Sequence, residues 1–221
     1  MILQGKNLVK EYIRGNKKFK AIDNVNISLD KGEFISIIGQ SGSGKSTLFH
    51  LLTGLSKPHS GEILVDNKNI INMSEDELSE LRNKKIGYVM QGQNLLSNFT
   101  IMDNLCMPYY LSDKKEYIYD KAMDLLKKIG LEDMKNDYPS SLSGGEIRRI
   151  SIIRALINDP DIIIADEPTS NLDMENSRKV MELLRNISRE NKAVLISTHD
   201  LEFLNYTTKI YNMEKGILTE K

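Results

Sequence analysis

The 221-residue chain has one cysteine, no tryptophan and no long apolar run. A lone cysteine, Cys106, cannot form a disulfide within the chain, which favours a reducing compartment. No stretch reaches the ~18 to 20 apolar residues of a transmembrane helix, and we expect no signal peptide because the N-terminus lacks the basic and apolar segments of one. The net charge of −1 gives no reason to expect nucleic acid as a partner. Any role at a membrane is therefore expected to depend on a partner protein.

Short apolar runs alternate with helical patterns over most of the chain. The runs that predict strands cover residues 25–29, 34–39, 61–66, 86–90, 161–168 and 193–198. Helical signals dominate from about Asn94 to Asp159 and predict a helical insertion, and a hairpin is predicted around Glu214–Gly216. The alternation is typical of an α/β protein with a mostly parallel sheet.

A glycine-rich segment follows the apolar run 34–39. It reads GQSGSGKST and fits the phosphate-loop pattern G-x-x-x-x-G-K-[ST]. Backbone N–H groups of such a loop point at phosphate oxygens, Lys45 reaches the β and γ phosphates, and the Ser46 hydroxyl holds Mg²⁺. The predicted nucleotide-binding residues are Gly39, Gln40, Ser41, Gly42, Ser43, Gly44, Lys45, Ser46 and Thr47. The loop predicts a nucleotide binder and leaves the reaction open.

Polar residues at the ends of other predicted strands favour nucleotide hydrolysis. Asp166 is expected near the Mg²⁺, and Glu167 is expected to act as general base on an attacking water. Gln91 is expected to contact both metal and water, with Gln93 as the alternative, and His199 is expected to contact the γ-phosphate. An ordinary acidic turn is the competing interpretation of the carboxylate pair.

A second glycine pair, in SLSGGEIRR, follows a serine and precedes a helical run. Ser143, Gly144 and Gly145 therefore form a second candidate phosphate-binding helix start. Together with the other motifs, it resembles the ATP-binding subunit of ATP-binding cassette (ABC) transporters. The resemblance covers almost the whole chain, with all motifs in the family's order: GQSGSGKST, the Gln91 loop, LSGGE, DIIIADEP, SNLD and STHD.

The resemblance implies the fold and the assembly. The fold is a P-loop NTPase cassette forming one domain, residues 1–221, with a mostly parallel core sheet and an N-terminal antiparallel β part (about 1–93 and 160–221) and an inserted helical subdomain (about 94–159). Two cassettes dock head to tail, so that Ser143, Gly144 and Gly145 contact the ATP of the opposite subunit.

The same resemblance assigns two further residues and predicts activity. Asp173 in SNLD is expected at the dimer seam. Tyr12 matches an aromatic that stacks on adenine, with a core position in the first strand as the alternative. After LSGG the chain reads Glu146, Ile147, Arg148 and Arg149, where many relatives have glutamines before the arginine. Every residue needed for hydrolysis is present, so an active ATPase with ATP and Mg²⁺ is expected.

The segment after Gln91 looks like the subgroup of lipoprotein-release, macrolide-export and antimicrobial-peptide transporters. That implies a second copy or a paralogous ATPase as one partner and an integral membrane permease as the other, with the chain on the cytoplasmic face of the membrane. An apolar groove for the permease is one interpretation of five side chains, and ordinary core is the other; they are Leu95, Leu96, Phe99, Met102 and Met107. A cell-division signalling ATPase and a soluble cassette of iron–sulfur assembly remain alternatives.

Overall fold

Two β-sheets and the helices that cover them make up the computed structural model, which describes residues 1–15, 17–92, 95–112 and 118–221. The first sheet is antiparallel, with strand order β2-β1-β4-β5. Its strands are β1 (Leu3–Arg14), β2 (Lys17–Leu29), β4 (Ser60–Val65) and β5 (Lys68–Asn69). This sheet confirms the predicted antiparallel β part.

The second sheet is the core sheet, with strand order β10-β9-β3-β8-β7-β6. Its strands are β3 (Phe34–Ile38), β6 (Ile86–Val89), β7 (Ile162–Asp166), β8 (Ala193–Thr198), β9 (Lys209–Glu214) and β10 (Ile217–Glu220). All neighbours are parallel except β9 and β10, which form the predicted hairpin. The carboxyl ends of β3, β6, β7 and β8 therefore meet at one edge, where ligands bind in open parallel sheets.

The helices of the described residues are α1 (Lys45–Leu52), α2 (Glu75–Lys85), α3 (Ile101–Tyr110), α4 (Tyr119–Lys128), α5 (Gly144–Ala155) and α6 (Met174–Arg189). Three begin with a capping box, in which a Ser or Thr side chain and an acidic side chain three residues later satisfy each other's backbone N–H groups. Among the helices in these described ranges, none is long and apolar enough to cross a membrane.

The core sheet is buried on both faces because its strands are apolar at successive positions. Ile163 and Ala165 of β7 pack in a cluster with α3, α4, α5 and α6. Ile162 and Ile164 pack in the other cluster, with α1 and the antiparallel sheet. Successive side chains of a strand point to opposite faces, so an uninterrupted apolar run fills both layers.

Some element boundaries differ from those predicted. The predicted strand 25–29 is only the end of β2, which begins at Lys17; its first residues are exposed and polar and carry no apolar alternation. The helix predicted from about residue 115 begins at Tyr119 in the described part, and residues 113–117 lie outside it. Helix α1 ends beside Gly54, as predicted, where the backbone turns left-handed with φ 68°.

Candidate nucleotide-binding and hydrolysis site

The phosphate loop connects β3 to α1 and depends on two of its glycines. Gly44, the N-cap of α1, has φ 114°, and a Cβ there would lie 2.4 Å from the carbonyl oxygen of Ala21. Gly39 has φ 157°, and its Cβ would lie 2.3 Å from the carbonyl oxygen of Met213. Only glycine fits both the backbone conformation and these close approaches. The loop is therefore held between β2 and β9.

Lys45 is the first residue of α1 and is 5% exposed. Its Nζ donates hydrogen bonds to the carbonyl oxygens of Gly39 (2.8 Å) and Gln40 (3.1 Å). The same Nζ lies 3.7 Å from Oε1 of Glu167. The phosphate loop is thus folded around the buried ammonium group of Lys45, which faces the carboxylate of Glu167.

Glu167 is the meeting point of the predicted catalytic residues. Nε2 of Gln91 donates a hydrogen bond to Oε2 of Glu167 at 2.9 Å, and Nδ1 of His199 lies 3.7 Å from the same oxygen. The Glu167 side chain is 16% exposed and its backbone has φ 48°, an uncommon conformation that turns the chain directly after β7. Lys45, Gln91, Glu167 and His199 therefore form one cluster. Gln93, the alternative to Gln91, lies outside the described residues.

Asp166 lies beneath this cluster at the end of β7 and is 3% exposed. Ser197 of β8 donates its hydroxyl to Oδ1 of Asp166 and accepts a hydrogen bond from the backbone N–H of Glu167 at 2.8 Å. Burial and then the negative charge of Asp166 raise the pKa of the neighbouring Tyr88 hydroxyl. Sequence reasoning missed Ser197; its place in the STHD motif, two residues before His199, was the available signal.

A cleft of about 800 Å³ unites most of the predicted nucleotide-binding residues. Its lining consists of Tyr12, Phe19, Ala21, Gln40, Ser41, Gly42, Gly44, Lys45, Ser46, Thr47, Gln91, Glu167 and His199. Tyr12 is 40% exposed, so the alternative of a core position in β1 is wrong. Its ring lies 6.1 Å from that of Phe19, centroid to centroid. Phe19 was not predicted, because the exposed start of β2 shows no apolar pattern.

The residues predicted to meet the opposite subunit do not line this cleft. They are Ser143, Gly144, Gly145 and Asp173. Ser143 and Gly144 are exposed at the start of α5, where Ser143 caps the helix. Gly145 is buried against α6, and a Cβ on it would lie 2.4 Å from Oδ1 of Asn176. Asp173 caps α6: Oδ1 accepts from the backbone N–H of Asn176 at 2.8 Å and Oδ2 from its side chain at 2.7 Å.

The predicted apolar groove is only partly exposed. Met102 is 8% exposed and packs within the core beside Cys106, so the core interpretation is correct for it. Leu95 and Met107 are partly buried. Leu96 and Phe99 are each 43% exposed and remain available at the surface.

A sequence model described as ABC transporter matches residues 22–170, about two thirds of the chain. The chain belongs to the ABC transporter family. It is an ABC-type ATPase, which binds and hydrolyses ATP.

Particular ABC relatives resemble the chain over nearly its full length. The lipoprotein-releasing system ATP-binding protein LolD of Buchnera aphidicola subsp. Schizaphis graminum is 41% identical over 220 residues, which cover 99% of this chain and 96% of LolD. A dimeric post-hydrolysis structure of the ATP-binding cassette MJ0796, bound to ADP and Pi, is 36% identical with a TM-score of 0.92, covering 99% of this chain and 97% of that one. The cassette cbiO1 from Clostridium perfringens is 31% identical with a TM-score of 0.85. The match covers 99% of this chain and 86% of cbiO1. The predicted resemblance to the lipoprotein-release subgroup is confirmed.

Proposed function

We propose that this chain is the ATP-binding subunit of a lipoprotein-releasing type of transporter. Two subunits close head to tail on two ATP molecules and drive a separate membrane permease. The observation that carries the proposal is the division of the site: the hydrolytic cluster around Glu167 lies in the cleft, whereas Ser143 and Gly144 are exposed outside it. A second subunit is needed to bring both halves to one nucleotide.

The residues of the cleft fit ATP. The left-handed glycines of the phosphate loop turn its backbone toward the cleft, Lys45 supplies the positive charge, and the exposed Tyr12 offers a ring face for adenine. Hard oxygen and amide groups of Ser46, Gln91 and Asp166 suit Mg²⁺, which is commonly held by one or two protein groups together with phosphates. Bound Mg²⁺ would neutralise developing phosphate charge.

Glu167 is the proposed general base. Its carboxylate faces the cleft, and its backbone is fixed by the hydrogen bond to Ser197. Gln91 holds one carboxylate oxygen through its amide, and His199 lies beside that same oxygen. A carboxylate held in this way can accept a proton from a water placed between it and the γ-phosphate.

The start of α5 is the proposed contact to the nucleotide bound by the second subunit. Ser143 and Gly144 are exposed there, and the positive end of the helix dipole favours phosphate. The cassette MJ0796 was solved as a dimer bound to ADP and Pi, and the similarity covers 99% of this chain. Asp173, at the start of the adjoining α6, is proposed to lie at the same dimer seam.

The segment of residues 95–100, just before α3, is the proposed permease-docking element of a helical subdomain spanning about residues 94–159. Asn104 is 1% exposed and fixes this segment: its Oδ1 accepts from the N–H of Leu96 at 2.7 Å, and its Nδ2 donates to the carbonyl oxygens of Leu96 (3.0 Å) and Phe99 (3.2 Å). A buried amide thus holds two exposed apolar side chains in place, which suits contact with a partner. Permease binding would place the chain on the inner face of the membrane.

Dimer closure is tested in the hydrolysis-deficient Glu167→Gln background. We expect ATP to convert this variant from monomer to dimer in light scattering. Adding Ser143→Arg should preserve ATP binding and abolish dimerisation through bulk and charge. Ser141→Arg, at an exposed site two residues earlier, is the matched control and should still dimerise. ATP-driven dimerisation of the Ser143→Arg variant would contradict the proposed contact.

The membrane partner is tested by purification of tagged Glu167→Gln chain with ATP from detergent-solubilised membranes of its native cells. We expect a permease with a large extracellular domain to be recovered, and lipoprotein release to be lost when it is deleted. A transporter-like partner without cargo would indicate a signalling ATPase instead. Recovery of only soluble assembly proteins would indicate the iron–sulfur alternative.

A further inference from the structure

Arg148 of α5 is a buried cation with a main-chain partner in another element. Its side chain is 6% exposed, and its Nη1 donates a hydrogen bond to the carbonyl oxygen of Met90 at 3.2 Å. Met90 directly precedes Gln91, whose amide holds the carboxylate of Glu167. Helix α5 therefore holds the backbone from which the Gln91 side chain reaches Glu167.

The charges around Arg148 favour this placement. Burial lowers the pKa of its guanidinium, and the negative charge of Asp166 counteracts that effect. The hydrogen bond of the charged guanidinium to the Met90 carbonyl lies in a buried environment, where a charged hydrogen bond is stronger than in water. Arg148 thus holds the backbone after β6.

Arg148 also lies close to the exposed end of its own helix. It follows Ser143 by five positions, on the order of 7 Å along a helix axis at 1.5 Å per residue. Both residues belong to one hydrogen-bonded helix, and rigid elements of this kind can carry coupling between sites. A shift of the Gln91 backbone would therefore be passed to the start of α5.

We propose that Arg148 is a positioning residue that couples Gln91 in the chain's own cleft to the helix start that reaches the second subunit. The coupling between Gln91 and the start of α5 rests on the proposed function, because it requires Ser143 to contact the other subunit's ATP. The other part of the proposal is that Arg148 orients Gln91 and hence Glu167. This part concerns only the ATPase activity of the cassette.

Arg149 provides a matched control on the same helix. Its Nη1 also donates to a main-chain carbonyl, that of Ile129 at 2.8 Å, but Ile129 caps the end of α4 and is remote in sequence from Gln91. Removing either guanidinium deletes one hydrogen bond between α5 and a neighbouring segment. Of these two arginines, Arg148 is the one that bonds to the segment carrying Gln91.

The test compares Arg148→Met, Arg148→Lys and Arg149→Met in steady-state ATP hydrolysis, with thermal unfolding of each. Methionine keeps an unbranched apolar stem but removes the charge and the donors. We expect Arg148→Met to lower kcat by roughly 2- to 30-fold, the usual range for a residue that modulates coupling, with KM for ATP nearly unchanged. Lysine should restore part of kcat, and Arg149→Met should keep it near the wild-type value.

Several outcomes would overturn the assignment. It fails if Arg148→Met hydrolyses ATP at the wild-type kcat, or if Arg149→Met loses as much kcat for an equal loss of thermal stability. Should Arg148→Met not fold, Arg148→Lys decides: kcat reduced with KM unchanged supports the proposal, and wild-type kcat overturns it.

Dimerisation separates this proposal from the proposed function. In the Glu167→Gln background we expect Arg148→Met to weaken ATP-driven dimerisation relative to Arg149→Met. If the Glu167→Gln parent itself does not dimerise with ATP, the proposed head-to-tail function fails. If the parent dimerises and Arg148→Met dimerises equally well, the coupling role of Arg148 fails and the proposed function stands.

Discussion

The amide of Gln91 and the carboxylate of Glu167 are hydrogen-bonded across the end of the core sheet, Nε2 to Oε2, at 2.9 Å. They follow neighbouring parallel strands whose last paired residues are Val89 and Ala165. Because β6 and β7 end at the same level, side chains just beyond them meet. Strand register therefore sets the position of Glu167. Replacing Glu167 tests whether its carboxylate acts as the general base.

Glu167→Gln is expected to bind ATP normally and to hydrolyse it slowly, because glutamine keeps the size of the side chain but cannot accept the proton. Loss of a general base costs ~10² to 10⁴ in rate, or about 3 to 5 kcal/mol of barrier. Phosphate release and ATP binding measure the two properties separately. Glu175→Gln, at an exposed ion pair of α6, is the control and should hydrolyse at the normal rate. Wild-type hydrolysis by Glu167→Gln would exclude Glu167 as the base.

Tyr12→Ala is expected to weaken ATP binding, whereas Tyr12→Phe should retain it, because stacking needs the ring and not the hydroxyl. The loss should be roughly 5- to 160-fold in Kd, following the ~1 to 3 kcal/mol that aromatic residues contribute by stacking on bases. Fluorescence titration with a labelled ATP analogue measures it. Ile13→Ala removes an adjacent side chain that is 71% exposed and should leave Kd unchanged. Equal effects at both positions would argue against adenine stacking.

Gly145→Ala is expected to destabilise the fold, because the new methyl group would overlap the side chain of Asn176. Overpacking of a buried site costs about 1 to 3 kcal/mol. The double variant Gly145→Ala, Asn176→Ala should recover part of this loss, since it removes the clashing amide but keeps the backbone N–H that Asp173 caps. Urea unfolding of the single and double variants gives the coupling energy. Strictly additive losses would show that the two residues do not press on each other.

The capping box of α5 is expected to make stability depend on acidic pH. The backbone N–H and then the hydroxyl of Ser143 bond to Glu146 and lower its pKa from the ordinary 4.5. A depressed folded-state pKa adds stability that is present above the unfolded value and lost as pH falls through the folded one. Glu146→Gln removes this negative charge from the positive end of the helix and should therefore cost about 0.3 to 1 kcal/mol at neutral pH and less in acid.

Urea unfolding of the wild-type and Glu146→Gln chains at pH 7 and below pH 4 measures that difference. Comparing the two chains at each pH cancels the titration of all other carboxylates. A Glu146→Gln penalty of the same size at both pH values would contradict the assignment.

Local chemistry made much of the fold predictable. Residues 193–196 are continuously apolar, and the strand predicted over 193–198 is confirmed by β8, which occupies the same residues. Ser74 and Glu77 have the spacing of a capping box, and both of its hydrogen bonds are present at the start of α2. Such features depend on residues a few positions apart, so the sequence displays them directly.

Contacts between distant segments were not predictable in the same way. Ser197 reaches Asp166 because β7 and β8 pair in parallel, with Asp166 opposite Ser197. Arg148 meets Met90 across 58 positions of sequence. Neither relationship has a local pattern, since each results from strand order and helix packing. The predicted strand ends located the cluster around Glu167, while the residues that contact this cluster from other segments could be identified only in the folded chain.

The strand order of the core sheet also affects when the phosphate loop can form during synthesis. Strand β3, which leads into that loop, lies between β8 and β9, and the Met213 carbonyl of β9 abuts Gly39. Both flanking strands leave the ribosome more than 150 residues after β3. A nascent chain therefore carries its phosphate-loop sequence long before the flanking strands, and the loop can reach its folded position only after β8 and β9 have been made.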